Sequence, residues 1–161
     1  MAEPQNEPPA AQTDPFGAAP SRIVVGYLRS PEGEAALSRA IAIAHRNDSH
    51  VTIVHAVTQA EATTEVDYYD QELAAIQRIL ENEGIVHTVR ITTKGLSGAE
   101  AVLRAIADND ADLAIVGVRN RSRVGKALLG SDAQTVILEA TCPVLVVKAP
   151  ESSTTRGGPP S

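Results

Sequence analysis

The residues of this chain best suited to chemistry lie between Gly117 and Ser131, GVRNRSRVGKALLGS. Arg119, Arg121, Arg123 and Lys126 supply positive charge, and no Asp or Glu lies between Leu113 and Ser131. Gly117, Gly125 and Gly130 supply backbone freedom. The stretch follows an apolar run, Leu113–Val116, that reads as a buried strand, and precedes a run, Val136–Leu138, that reads as a helix. A strand, a basic glycine-bearing loop and a helix start together suit an anion. The first N–H groups of a helix lack intrahelical partners and carry partial positive charge, so a phosphate is at home there.

Ser131-Asp132-Ala133-Gln134 also has the S-x-x-Q form of a capping box, which predicts Ser131 as the helix cap. A cap and a phosphate contact use the same exposed turn. Asp132 opposes the anion, because its carboxylate repels one. The bland alternative for the loop is a solvated surface segment. Neither common nucleotide fingerprint is present. A Walker loop places four residues between its first Gly and its Gly-Lys pair, whereas residues 118–124 separate Gly117 from Gly125-Lys126. G-x-G-x-x-G is absent.

The elements that must position this loop alternate regularly. Arg22–Leu28 is a near-continuous apolar strand of the kind buried on both faces. Ser30 and Pro31 suit the cap and first position of a helix running to about Asn47, with Leu37, Ile41 and Ala44 on its apolar stripe. His50–Val57 is the second strand. A helix from about Asp67 to Glu83 buries Leu73, Ile76 and Leu80, and Gly84 ends it. Ile85–Thr92, Ser97–Asn109, Asp112–Gly117, Ser131–Ala140 and Pro143–Lys148 continue as strand, helix, strand, helix and strand. Such alternation predicts an α/β fold, a parallel sheet with helices on both faces joined by right-handed crossovers. Ligands of open parallel sheets sit at the carboxyl ends of the strands, where strand order reverses. The loop over residues 118–130 leaves such an end and far exceeds the usual roughly two to six residues.

The chain has 161 residues, a size for one domain with a substantial core. Its formal net charge of -6 disfavours general nucleic-acid binding, and three Tyr, one Phe and no Trp leave few stacking platforms. The lone Cys142 gives no intrachain disulfide and suits a reducing compartment; it reads as an inert buried thiol. No apolar run has the roughly 18 residues of a membrane helix, and residues 1–21 carry acids and prolines where a signal peptide needs lysines and an apolar stretch. The expected location is cytoplasmic, without membrane or nucleic-acid partners. Residues 1–21, with Pro4, Pro8, Pro9, Pro15 and Pro20, and residues 150–161 read as disordered tails around a domain at 22–149. His45, His50 and His55 lack the spacing of paired metal ligands, and His55 reads as a core or rim histidine. Asp108, Asp110 and Asp112 read as turn residues. No metal site and no catalytic residue emerge. Slow hydrolysis of a bound nucleotide is the only activity to consider, and the loop offers no general base for it beyond Asp132.

The loop fits the pattern Gly-x2-Gly-x9-Gly-Ser/Thr, with Gly117 first, Asn120 at the second glycine, then Gly130 and Ser131. With IVVG at 23–26, Ser30-Pro31, VTIVHAV at 51–57, Lys94-Gly95, ADLAIVG at 111–117 and CPVLVVK at 142–148, the chain resembles the universal stress protein (UspA) family over about Arg22–Lys148. The resemblance implies an open, Rossmann-like, five-stranded parallel sheet in order 3-2-1-4-5, of the adenine-nucleotide alpha hydrolase-like kind. It implies a homodimer joined through the last strand, Pro143–Lys148, and a stress-response role exercised through dimer state or partner contacts. In ATP-binding members adenine lies near the ends of strands one and two. That carries Gly26, Tyr27, Leu28 and Ala56 to the base, and Val116, Gly117, Arg119, Asn120, Gly130 and Ser131 to ribose and phosphate. The implied ligand is ATP or another adenine nucleotide such as AMP, with Mg2+ as companion ion. Leu28 replaces the strand-one Asp typical of ATP binders, and Asn120 replaces a motif glycine. Those departures support the alternative, a dimeric interaction protein of the same fold that binds no nucleotide.

Overall fold

The computed structural model describes residues 18–56, 66–92, 95–119 and 129–150, with backbone alone at 56 and 66–69. The elements are β1 (Arg22–Tyr27), α1 (Pro31–Asn47), β2 (His50–Ala56), α2 (Val66–Asn82), β3 (His87–Thr92), α3 (Gly98–Asp108), β4 (Leu113–Val118), α4 (Ser131–Glu139) and β5 (Val144–Lys148). The strands form one parallel sheet in order β3-β2-β1-β4-β5. The fold class is that expected from the alternation of strands and helices, and the strand order is that implied by the family resemblance. Boundaries differ by a residue or two: β3 begins at His87 rather than Ile85, and β4 extends through Val118. Val57, Lys94, Asn120, Arg121, Arg123, Gly125 and Lys126 lie outside the described residues.

Two apolar clusters sandwich the sheet. One packs Ile23, Val25, Ile53 and Ile115 against Ala36, Leu37, Ala40 and Ala44 of α1 and Leu73, Ile76 and Leu80 of α2. The other packs Val24, Val54, Ala114 and Val116 against Val102, Ala105 and Ile106 of α3 and Val136 of α4. Alternation along each strand serves both clusters, so β1 and β4 must be apolar on both faces. The α1 stripe predicted at Leu37, Ile41 and Ala44 shifts: Ala36 and Ala40 are fully buried, and Ile41 is only half-buried. Alanines at spacing four bring the helix backbone close to the sheet.

Caps fix the helix ends. The Ser30 Oγ accepts from the Gly33 N–H at 3.1 Å, with Pro31 in the first turn. Ser97 and Glu100 form a full capping box on α3. Gly84 ends α2 in the left-handed region, φ 66°. At α4 the sequence prediction is corrected. Gly130, not Ser131, holds the cap position, no side chain caps the helix, and the Gln134 amide donates to the Leu129 carbonyl instead. The chain is ordered slightly before β1. The Asp112 carboxylate accepts from Ser21 N–H, Ser21 Oγ and Arg22 N–H at 3.0, 2.7 and 2.9 Å, and Ser49 Oγ donates to the Pro20 carbonyl. Asp112 is therefore a clamp on the entry to β1 rather than a plain turn residue. Pro20 and Ser21, counted with the N-terminal tail in the sequence pattern, take part in these contacts.

Candidate functional site

Strand order reverses between β1 and β4. The chain steps outward from β1 to β2 and β3, then returns to lay β4 on the other side. A crevice must open where the two halves diverge at the carboxyl ends. A cavity of about 540 Å3 lies there, within the roughly 300–1,000 Å3 of small-molecule sites. Gly26, Tyr27, Leu28, Val116, Gly117, Arg119, Gly130 and Ser131 are among the residues that line it. Asn120 and the side chain of Ala56 lie outside the described residues.

Glycines shape the crevice through space rather than backbone freedom. Gly117 sits inside β4 with ordinary strand backbone. A Cβ there would lie 2.3 Å from the Glu32 carbonyl oxygen. A Cβ at Gly33 would lie 1.7 Å from the Leu28 carbonyl oxygen. These two glycines let the first turn of α1 settle onto the ends of β1 and β4. A Cβ at Gly26 would meet Val102 Cγ2 at 3.0 Å, so its absence opens the floor toward α3. Gly130 differs. Its φ is −63° and a Cβ would meet nothing within 4 Å. Glycine there keeps the mouth of α4 unobstructed.

The cavity has an apolar floor and a polar rim. Val54, Ala99, Val102, Val116 and Val136 supply the floor. The rim carries the uncapped start of α4, Gly130 to Ala133, whose first N–H groups are directed out of the helix. It also carries a group absent from the sequence expectations, Glu32 in the first turn of α1. Glu32 is buried, and its Oε1 accepts from Arg119 Nε at 2.7 Å, while Arg119 is largely exposed. Burial opposes the charged form of Glu32. The Arg119 hydrogen bond, its own backbone N–H and the Ser30 hydroxyl outweigh that and hold the carboxyl below its ordinary value. Arg119, expected beside ribose and phosphate, thus has a partner within the fold. The signal for Glu32 was its place just after Ser30-Pro31, where the helix leaving β1 turns back over the crevice.

Tyr27 faces the opposite side of the sheet from Gly26. Its ring is buried with α1 and α2, and its hydroxyl donates to Glu72 Oε1 at 2.9 Å. Burial first, then the Glu72 hydrogen bond and charge, push its pKa strongly upward. His55 is buried beside it, with Nδ1 3.1 Å from the Tyr27 carbonyl oxygen. His45 pairs with Glu83 and His50 with Thr88, so the histidines have separate surroundings. No group of three or more His, Cys, Asp or Glu suited to a metal occurs among the described residues. Cys142 is half-buried, and burial raises its thiol pKa. No helix among the described residues is long and apolar enough to cross a membrane.

Known proteins agree with this architecture. The model of the universal stress protein family matches residues 20–148. A universal stress protein of Mycolicibacterium smegmatis is 36% identical over 127 residues, covering 78% of this chain and 96% of that protein. A solved universal stress protein from Archaeoglobus fulgidus superposes with a TM-score of 0.66 at 26% identity, over 79% of this chain and 97% of that one. The same fold recurs in an Archaeoglobus fulgidus universal stress protein in complex with dAMP, TM-score 0.60 at 22% identity, over 79% of this chain and 96% of that one. It recurs again in a universal stress protein in complex with cAMP, TM-score 0.58 at 23% identity, over 83% of this chain and 100% of that one. By its sequence, its strand order and the extent of these matches, the chain belongs to the universal stress protein family.

Proposed function

We propose that this protein is a cytoplasmic stress-response module that binds an adenine nucleotide in the β1–β4 crevice. The observation that carries the reading is the pairing of an apolar slot with an open helix start. A base can lie against Val54, Val102 and Val116, while a phosphate meets the N–H groups at Gly130–Ala133. Binding of dAMP and cAMP by structures of this fold supports the same ligand class. In this reading Gly26, Tyr27, Leu28 and Ala56 border the base, largely through backbone. Val116, Gly117, Arg119, Asn120, Gly130 and Ser131 border ribose and phosphate. Mg2+ arrives with ATP as its companion ion rather than as a resident metal. A homodimer forms through the outer edge of β5, the last strand of the sheet, where Val146 is exposed.

Calorimetric titration with ATP and AMP, on wild type and Gly130→Glu, tests the reading. A Cβ fits at Gly130, so the variant folds and puts a carboxylate at the phosphate position. Micromolar binding lost in the variant is the expected result. No heat from wild type at millimolar nucleotide, with folded protein, overturns it. One observation favours the second reading, a dimeric interaction protein without nucleotide: the crevice already holds a carboxylate, Glu32, with Arg119 as its partner. Sedimentation of wild type with and without ATP separates the two. A ligand-independent dimer with no nucleotide heat selects the second.

A further inference from the structure

We propose that Glu32 is a specificity-determining residue of the crevice, and that by holding Arg119 it selects adenine ligands carrying few phosphates. The inference rests on the nucleotide reading and adds the ligand's charge to it.

Glu32 is held at the crevice by packing and by an ion pair. Its carbonyl fills the space a Gly117 side chain would need, so its backbone is wedged between α1 and β4. Its side chain is only 8% exposed and meets Arg119 Nε at 2.7 Å. The guanidinium nearest the wall is therefore already neutralised. The other described carboxylate on the wall is Asp132, in the first turn of α4. Against Glu32 and Asp132 stand Arg119 and the helix starts on the wall, those of α1 at Glu32, α3 at Gly98–Ala99 and α4 at Gly130–Ala133, each worth roughly half a positive charge. With Arg119 held by Glu32, those helix starts are what the described wall offers an anion. Adenosine or AMP fits such a wall, because apolar contact supplies the affinity and one phosphate matches the start of α4, which no side chain caps. Each further phosphate adds negative charge that the Glu32 carboxylate opposes, and Glu32 withholds the Arg119 guanidinium from it.

Glu32→Gln isolates the charge. Glutamine keeps the shape and still accepts from Arg119 Nε, but leaves the guanidinium uncompensated. Adenosine, AMP and ATP are titrated by calorimetry into wild type, Glu32→Gln and the double variant Glu32→Gln/Arg119→Gln, at two salt concentrations, with circular dichroism to establish folding. Wild type is expected to bind ATP no tighter than AMP. In Glu32→Gln, ATP affinity rises about tenfold, the scale of one unit-charge interaction largely screened by solvent, while adenosine stays within about twofold. The gain shrinks at high salt and disappears in the double variant. An unchanged ATP-to-adenosine ratio in Glu32→Gln overturns the inference and leaves nucleotide binding intact, because a purely structural residue would shift all ligands alike. Folded wild type and Glu32→Gln that bind none of the three overturn both.

Discussion

Gly117→Ala separates two explanations for the first glycine of the loop motif. If Gly117 were present only to clear space for a ligand, adding a methyl group to this ordinary strand backbone would not harm the unliganded protein. Alanine in a strand interior is favoured over glycine by roughly 0.5–1 kcal/mol. The structure reverses the sign. The new Cβ would lie 2.3 and 2.6 Å from the carbonyl oxygen and carbon of Glu32. Both are backbone atoms in the capped first turn of α1, so no rotamer change relieves the clash. The helix must move off β4 and carry Gly33 and the Glu32–Arg119 pair with it. Overpacking of this kind costs about 1–3 kcal/mol, and contact with backbone argues for the upper end, about 3 kcal/mol. With a urea m-value of about 2 kcal/mol/M, the midpoint falls by about 1.5 M. Equilibrium urea unfolding of ligand-free protein measures this directly. Gly130→Ala is the comparison: its Cβ meets nothing within 4 Å, so its loss is limited to the poorer cap, about 1 kcal/mol or less. A Gly117→Ala protein as stable as wild type would falsify the close packing of α1 on β4.

Gly130→Asp should stabilise ligand-free protein by a few tenths of a kcal/mol through a new helix cap, and weaken AMP binding at least tenfold; urea midpoints and calorimetry read the opposed effects. Ser97→Ala removes a capping box and should cost about 1 kcal/mol in urea unfolding. Acid should loosen the Asp112 clamp. Hydrogen bonds from the Ser21 hydroxyl, then from the Arg22 and Ser21 backbone, outweigh burial and lower its folded-state pKa. That contribution is present above the ordinary Asp pKa and is lost as pH falls through the lowered folded value. Asp112→Asn should therefore be less stable than wild type at neutral pH, with the difference narrowing in acid, as thermal melts across pH would show. Tyr27→Phe removes a hydrogen bond to a carboxylate and should cost about 1.5–3 kcal/mol in urea.

The alternation of strands and helices was legible because each buried strand is a short β-branched run and each helix carries its own stop or start. Leu73, Ile76 and Leu80 fall at helical spacing and are all buried. The region of the site was legible from an overlong loop leaving one strand. What the local pattern could not show is what stands opposite. Glu32 and Arg119 are 87 positions apart, and nothing in either neighbourhood announces a shared partner. The S-x-x-Q pattern misled at α4 because a capping box is a local preference, and the chain enters that helix one residue earlier, through Gly130. Gly117 was misread for a related reason. A glycine required by a neighbouring helix looks, in sequence, like one required by a turn.

The central position of β1 has a consequence for the order of assembly. β1, β2 and β3 pair successively along the chain. The partner on the other side, β4, comes much later: Arg22 and Asp112, joined at the base of that seam, are 90 positions apart. Closing this long loop is an entropic cost borne before the distant pairing can return anything, so the seam is set to form late and slowly. The crevice does not exist until it closes, since Gly26 and Leu28 come from the early half and Val116, Arg119 and Gly130 from the late half. A molecule seated there acts as a non-covalent cross-link between the halves. At 100 times its dissociation constant it would add about 2.7 kcal/mol against any opening that parts them. Hydrogen exchange would reveal this as joint slowing of β1 and β4 amides, with fraying helix ends unaffected.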